Sequence, residues 1–486
     1  MMITAQRIVK LTVLILCTLQ VSAQTDKIKA FETTFTETRE LVFEDSIIPR
    51  FHIRDRMKKY GIPSVSIAVI DKGKIAWVKS YGYADVERKA DPETMYQVAS
   101  ISKSVNAVGV MRLVASGKLS LSADIRTYLR TWSFPDNAFS TGKPITLKQL
   151  LSHTAGLSVH GFVGIPLGDS IPTINQILDG KRPANNEPVV PIFTPGERFE
   201  YSGGGSTVIR KILDDQISSN YDSLLLQLVL QPLCMKSSSF SQPLLPRFKH
   251  YAFGYDKDMR VLPTKYYLYP EQAAGGLWST ANDIAKFVLA VQQSLNTGKG
   301  LPISKATTLE MLTPLSDQYA LGFGVIQKGG EKYFYHEGQS YGYSAVYYGS
   351  FTTGQGVVVL TNAYPENGEP FLKEVVNTVA TVHGWRSFYE PLKKKLYPVS
   401  DGQLASYVGE YISEDGRMTI RIEKTAEGLV LTARRPERMY AIAKDRFFLA
   451  SSPNDNCMFS SSKGDGNIDT FEVEQGGKVI IKAKKK

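Results

Sequence analysis

Gln97-Val98-Ala99-Ser100-Ile101-Ser102-Lys103-Ser104 opens a segment that reads as a helix. Ala107, Val110, Met111 and Val114 follow at helical spacing, and Gly117 supplies a stop. Ser100 and Lys103 then share one helical face, a turn apart. A serine hydroxyl is a poor nucleophile until its proton is taken, and a lysine kept neutral at that distance can take it. The pair predicts acyl-enzyme chemistry, set against the plainer reading of Ser100 as a helix N-cap. The same spacing recurs at Ser140/Lys143 and Ser460/Lys463. Pro144 follows the first, and the second lies among Ser, Asp and Gly, so both read as loops that fix no geometry.

Outward from this helix the pattern is mixed. A helix is expected over Thr36–Tyr60, then a hairpin: Ser64–Ile70, a turn at Asp71–Lys74, and Ile75–Tyr83 returning. Residues 120–310 read as mainly helical with long loops, including Leu147–Leu151, Val208–Ile217, Tyr221–Leu230 and Ala281–Leu295. Strands resume at Leu321–Gln327, Lys332–His336, Gly342–Tyr348 and Gly356–Thr361, and a last helix is expected over Pro370–Val382. The fold class is α/β (α+β): one mixed antiparallel sheet assembled from distant parts of the chain, flanked by helices, beside a helical region. The Ser100 helix falls where the two meet, a common place for a pocket. Lys393, Lys394, Lys395 and Pro398 mark a linker over 393–402 between a 24–392 domain and a small antiparallel β-barrel-like domain at 403–486. Six short strands are expected there: Tyr407–Tyr411, Met418–Glu423, Leu429–Ala433, Arg446–Leu449, Thr470–Glu474 and Val479–Lys482.

The 486 residues suit one large and one small domain, with 43% hydrophobic and 21% charged residues, as in an ordinary soluble protein. Residues 1–23 read as a signal peptide. Arg7 and Lys10 are its positive region, Leu11–Leu19 its apolar stretch, and Val21-Ser22-Ala23 its cleavage site. That apolar stretch is too short to span a bilayer comfortably and no later segment has the apolar length of a membrane span, so the mature chain is expected to be exported, periplasmic or secreted. Leu16 stands before Cys17 where bacterial lipoprotein signals carry a small residue, which argues against a lipid anchor. Cys234 and Cys457 remain; pairing and two inert thiols are both open. The net charge of +10 falls to +8 without Arg7 and Lys10. Its basic residues are dispersed except at Lys482, Lys484, Lys485 and Lys486, so no nucleic-acid partner is expected.

Four more segments bear on Ser100: Leu150-Leu151-Ser152-His153-Thr154-Ala155-Gly156-Leu157, Phe199-Glu200-Tyr201-Ser202-Gly203-Gly204-Gly205, Ala274-Gly275-Gly276-Leu277-Trp278-Ser279 and Tyr335-His336-Glu337-Gly338-Gln339. In this order and spacing, over residues 40–390, they resemble the serine β-lactamase and penicillin-binding protein superfamily. The nearest branch is that of class C β-lactamases, D-alanyl-D-alanine carboxypeptidases and related esterases. The C-terminal segment resembles the lipocalin-like domain often appended to such hydrolases.

The resemblance implies a catalytic set of Ser100, Lys103 and Tyr201. Ser100 is the nucleophile and Lys103 helps remove its proton. Tyr201 exchanges protons with Ser100 and the leaving group, as a phenolate favoured by the Lys103 cation. His336 and Gly338 match the family's His-x-Gly strand, with the glycine leaving room for substrate. The backbone N–H groups of Ser100 and Gln339 are the expected oxyanion hole. His153 supports a loop, and Gly275 and Gly276 serve backbone geometry. Gly203 departs from the family, which usually carries Asn there. Either the glycines open the pocket to a differently shaped substrate, or another side chain takes the role. A β-lactam, a D-amino-acid peptide and a small ester all remain open as the small-molecule or peptide substrate. No cofactor is expected. Glu337 beside His336 invites a metal reading, but neither His-Glu-x-x-His nor Cys-x-x-Cys spacing occurs, so no metal is expected. The alternative is a slowly acylated or non-hydrolytic protein that binds cell-wall fragments.

Overall fold

A computed structural model describes residues 24–38, 41–217, 219–449 and 451–486. The expected leader and Cys17 lie outside the described residues. The chain divides into two compact units. One holds Arg50–Tyr389 with the preceding residues to Thr38; the other holds Arg39–Pro49 and Glu390–Lys486.

The first unit is built on a six-stranded antiparallel sheet in the order Lys74–Gly82, Ser64–Asp71, Gly356–Thr361, Tyr343–Ser350, Glu331–Ser340, Gly324–Lys328. Lys72 and Gly73 both take positive φ at the tip of the first hairpin, as a tight two-residue turn between twisted strands requires. Gly356–Thr361 is buried along its whole length. Val357 and Val359 face one core with Phe371 and Val375 of the helix Pro365–Val382. Val358 and Leu360 face the other, with Ile284 and Val288 of the helix Ala281–Thr297. A strand covered on both faces therefore reads as an unbroken apolar run. Each such valine or leucine contributes roughly 1.5–3 kcal/mol on burial. The helix Ile101–Ala115 belongs to the second of these cores, and its apolar residues run right round it, which marks a core helix rather than a surface one.

Three expectations need correction. The helix expected over Thr36–Tyr60 is confined to Ile53–Tyr60, with a short strand at Leu41–Phe43. The β-branched Ile47 and Ile48 lead into Pro49, and the residue before a proline is disfavoured in the α region. The last helix begins at Pro365, where a proline in the opening turn sacrifices no helical bond, and it carries the expected start, Pro370, inside it. Among the described residues the C-terminal strands number eight. Gly409–Ser413 pairs with both Thr419–Thr425 and Lys478–Lys485, which closes the barrel. The two extra strands are Pro436–Ala443 and Ser452–Ser460. Tyr407, Tyr411, Phe447, Phe459 and Phe471 fill the barrel's core. In the expected linker, Leu392–Lys394 pairs parallel with Leu41–Phe43, and Asp401–Tyr407 forms a helix capped by Ser400. Cys234 and Cys457 are both free thiols.

Candidate active site

The nucleophile turn is clamped before its helix begins. Tyr96–Gln97 pairs with Trp278–Ser279, and the Val98 N–H donates to the Leu277 carbonyl at 3.0 Å. The Leu277 N–H donates in turn to Ser102 Oγ at 2.9 Å. Ala99 is held at φ +46, a strained conformation for an alanine. Ser100 occupies the N-cap position, yet its side chain makes no capping bond. Lys103 Nζ instead donates to Ser100 Oγ at 3.0 Å and to the Ala274 carbonyl at 2.6 Å. The other two Ser-x-x-Lys matches form no such pair among the described residues; Lys143, for example, donates to Thr194 at 3.1 Å.

Lys103 is 5% exposed, and burial pulls its pKa down to about 7. Burial acts oppositely on Tyr201, holding its phenol protonated well above the usual range, while a hydrogen bond to Ser100 draws it partly back. The expected lysine-stabilised phenolate is thus reversed: of the two, the lysine loses its proton first. Lys103 Nζ lies over the Tyr201 ring, 4.8 Å from its centroid.

His153, buried and at φ +56, ties down the loop that carries Tyr201. Its carbonyl accepts from the Glu200 N–H at 2.8 Å, and its Nδ1 from the Ser202 N–H at 3.2 Å. Desolvation first, then neighbouring Lys103, keeps this imidazole neutral. Ser202 caps the helix Gly203–Gln216 through the Gly205 N–H.

His336 sits on the strand Glu331–Ser340. Its Nδ1 lies 2.6 Å from the Glu337 carbonyl, which can only accept, so Nδ1 carries the hydrogen. Nε2 therefore accepts from the Tyr319 hydroxyl at 2.9 Å. Burial, reinforced by Lys103, brings the His336 pKa down to about 3. The edge strand's last partner on this side is Tyr335, so residues 336–340 run past it with their outer edge uncovered by that strand.

Ser100, Lys103, Tyr201, Gly203, His336 and Gln339 all line one pocket of about 450 Å³. Gly338 does not. A Cβ on it would stand 2.1 Å from the Val98 carbonyl, so this glycine makes room for the nucleophile turn rather than for substrate. The Gln339 side chain points away to Glu369 Oε2 at 3.2 Å. Gly203 does not open the pocket. A Cβ there would meet the His160 carbonyl and the Phe162 ring, each at 3.1 Å, because residues 158–162 form a strap across it. His160, Phe162 and Tyr319 also line the pocket and escaped the sequence reading. Tyr319 lies outside any motif, whereas His160 and Phe162 follow the His153 segment closely and flank a glycine. Among the described residues no cluster of His, Cys, Asp and Glu could hold a metal ion.

A model of the Beta-lactamase family matches residues 50–378, and the chain belongs to that family, within the serine β-lactamase and penicillin-binding protein superfamily. Protein flp of Staphylococcus aureus (strain MRSA252) is 28% identical over 347 residues, covering 68% of this chain. The match spans 65% of that protein's own length. Penicillin-binding protein 4* of Bacillus subtilis (strain 168) is 24% identical over 405 residues, 79% of this chain and 87% of that one. The octameric penicillin-binding protein homologue from Pyrococcus abyssi shares the fold with a TM-score of 0.56 at 24% identity, over 89% of this chain and 98% of that one. Among the described residues no helix is long and apolar enough to cross a membrane.

Proposed function

We propose that this chain is an exported serine hydrolase that cleaves an ester or amide through an acyl-enzyme on Ser100. The observation that carries the reading is the buried Lys103 amine, 3.0 Å from Ser100 Oγ, in a pocket about 450 Å³ in volume. Export rests on the leader-like residues 1–23.

Neutral Lys103 takes the Ser100 proton as Oγ attacks the carbonyl. Ser100 stands at a helix N-terminus, where its N–H is outside the helical ladder and the dipole favours negative charge. That N–H and the Gln339 N–H stabilise the developing oxyanion. Tyr201, held protonated beside Ser100, passes a proton to the leaving group and is recharged through Lys103. In deacylation the same pair works in reverse, taking a proton from water and returning it to Oγ. His336, neutral and fixed by Tyr319, forms a pocket wall that brings no charge of its own.

Tyr201→Phe tests the relay. Steady-state hydrolysis of a reporter ester is expected to fall about 100-fold or more; unchanged turnover would exclude the phenol from proton transfer.

A further inference from the structure

Glu337 stands between His336 and Gly338 and has no part in the chemistry above. Strand alternation turns His336 and Gly338 toward the nucleophile turn, and Tyr335, Glu337 and Gln339 toward the opposite face. No strand covers the edge past Tyr335, and these three residues line the same pocket around it. Glu337 is exposed there, and its carboxylate makes neither a hydrogen bond nor an ion pair among the described residues. Nearby, on the helix Pro365–Val382, Glu369 accepts from Gln339 Nε2 at 3.2 Å and lies 3.5 Å from Lys373 Nζ. The Glu337 pKa is raised, first by desolvation and then by Glu369, against a smaller opposing pull from Lys373. Its charge is thus incompletely matched by the protein around it.

Among the described residues that line the pocket, Glu337 is the one carboxylate and Lys103 the one amine, and no arginine is present. Lys103 is committed to Ser100 and the Ala274 carbonyl. Phe162, Phe199, Tyr269 and Tyr335 add aromatic rings to the same wall. A carboxylate without a counter-charge attracts a cation, and so do the faces of aromatic rings. From this arrangement we infer that Glu337 is a specificity-determining residue that receives a cationic group of the substrate beside the scissile bond. The substrate class is thus an ester or amide of an amino alcohol, an amine-bearing acid or a similar organic cation. A carboxylate at the same place is repelled. The inference rests on the hydrolase reading above.

Two pairs of isosteric esters test it, one for each side of the bond. Butanoylcholine and neohexyl butanoate differ by a nitrogen cation in place of a carbon on the alcohol side. The p-nitrophenyl esters of ε-aminohexanoic and heptanoic acids differ by an ammonium in place of a methyl on the acyl side. The quantity is the ratio of kcat/KM, cation over neutral, within each pair at low ionic strength. The wild type is expected to favour the cation in one pair, which gives the side on which it lies. In Glu337→Gln that ratio falls about tenfold, mainly through KM. Glu337→Asp keeps the charge and holds the ratio within about threefold of wild type. Glu337→Lys inverts it in favour of the neutral ester. A wild type that favours neither cationic ester, or a ratio unchanged in Glu337→Gln, overturns the inference. Fluorophosphonate labelling of wild-type Ser100 separates the two levels: labelling without a cation preference refutes the role of Glu337 alone, and absence of labelling refutes the hydrolase reading together with it.

Discussion

Burial, rather than a neighbouring charge, sets the proton on Lys103, and this has two consequences with opposite value to the protein. The pKa is pulled down to about 7 by desolvation alone. The neutral amine is the base, so kcat/KM for a reporter ester is expected to rise with pH through about 7 and then level off. His153 and His336 stay neutral across that range and Tyr201 stays protonated, so none of them adds a second limb there. A pH profile that is flat through neutrality would remove Lys103 as the base. For stability the same burial is a cost, and that cost also eases as the pH rises. The folded pKa lies below the unfolded value, so the unfolded chain holds more protons between about pH 7 and 10.5. The penalty is full below about 7 and is relieved as the pH rises toward 10.5. Lys103→Met is accordingly expected to be inactive yet more stable at neutral pH, by a few kcal/mol, read from urea unfolding.

At the scale of elements, the pocket depends on how closely the nucleophile turn and the strand Glu331–Ser340 approach. Gly338 faces the Val98 carbonyl with no space for a methyl group. Gly338→Ala is expected to cost about 1–3 kcal/mol in stability. By shifting the Ser100 turn it should also cost about 100-fold in kcat/KM; urea unfolding and ester kinetics measure the two. Parallel losses would support the packing role, and wild-type kinetics would contradict it. This contact was invisible in the sequence, where Gly338 reads only as a motif glycine. Local signals were legible: the Asp71–Lys74 turn, the unbroken Val357-Val358-Val359-Leu360 run and the helix after Ser100 all appear as read. Non-local ones were not. Pro436–Ala443 and Ser452–Ser460 open with or near prolines, and the second carries Asn454, Asp455 and Asn456, poor strand formers of which Asn456 nevertheless pairs with Glu474 in the closed barrel. Tyr319 and His160 reach the pocket through loops whose path only the folded chain defines.

For the molecule as a whole, the two compact units have separate cores, and every residue lining the pocket belongs to the unit holding Arg50–Tyr389. Phe459 is 4% exposed and packs against Tyr407, Tyr411, Phe447 and Phe471 in the barrel. Phe459→Ala is expected to destabilise the barrel by about 3–5 kcal/mol. In calorimetry it should lower one unfolding transition while leaving ester kcat/KM within about twofold. A comparable loss of activity would give the barrel a part in catalysis. The most direct test of the central claim is intact-protein mass spectrometry after exposure to a fluorophosphonate, with Ser100→Ala as control. An activated Ser100 predicts a single covalent adduct on the wild type, formed faster as pH rises through about 7 and absent from Ser100→Ala. A folded wild type that takes no label, or a label that persists in Ser100→Ala, would contradict it.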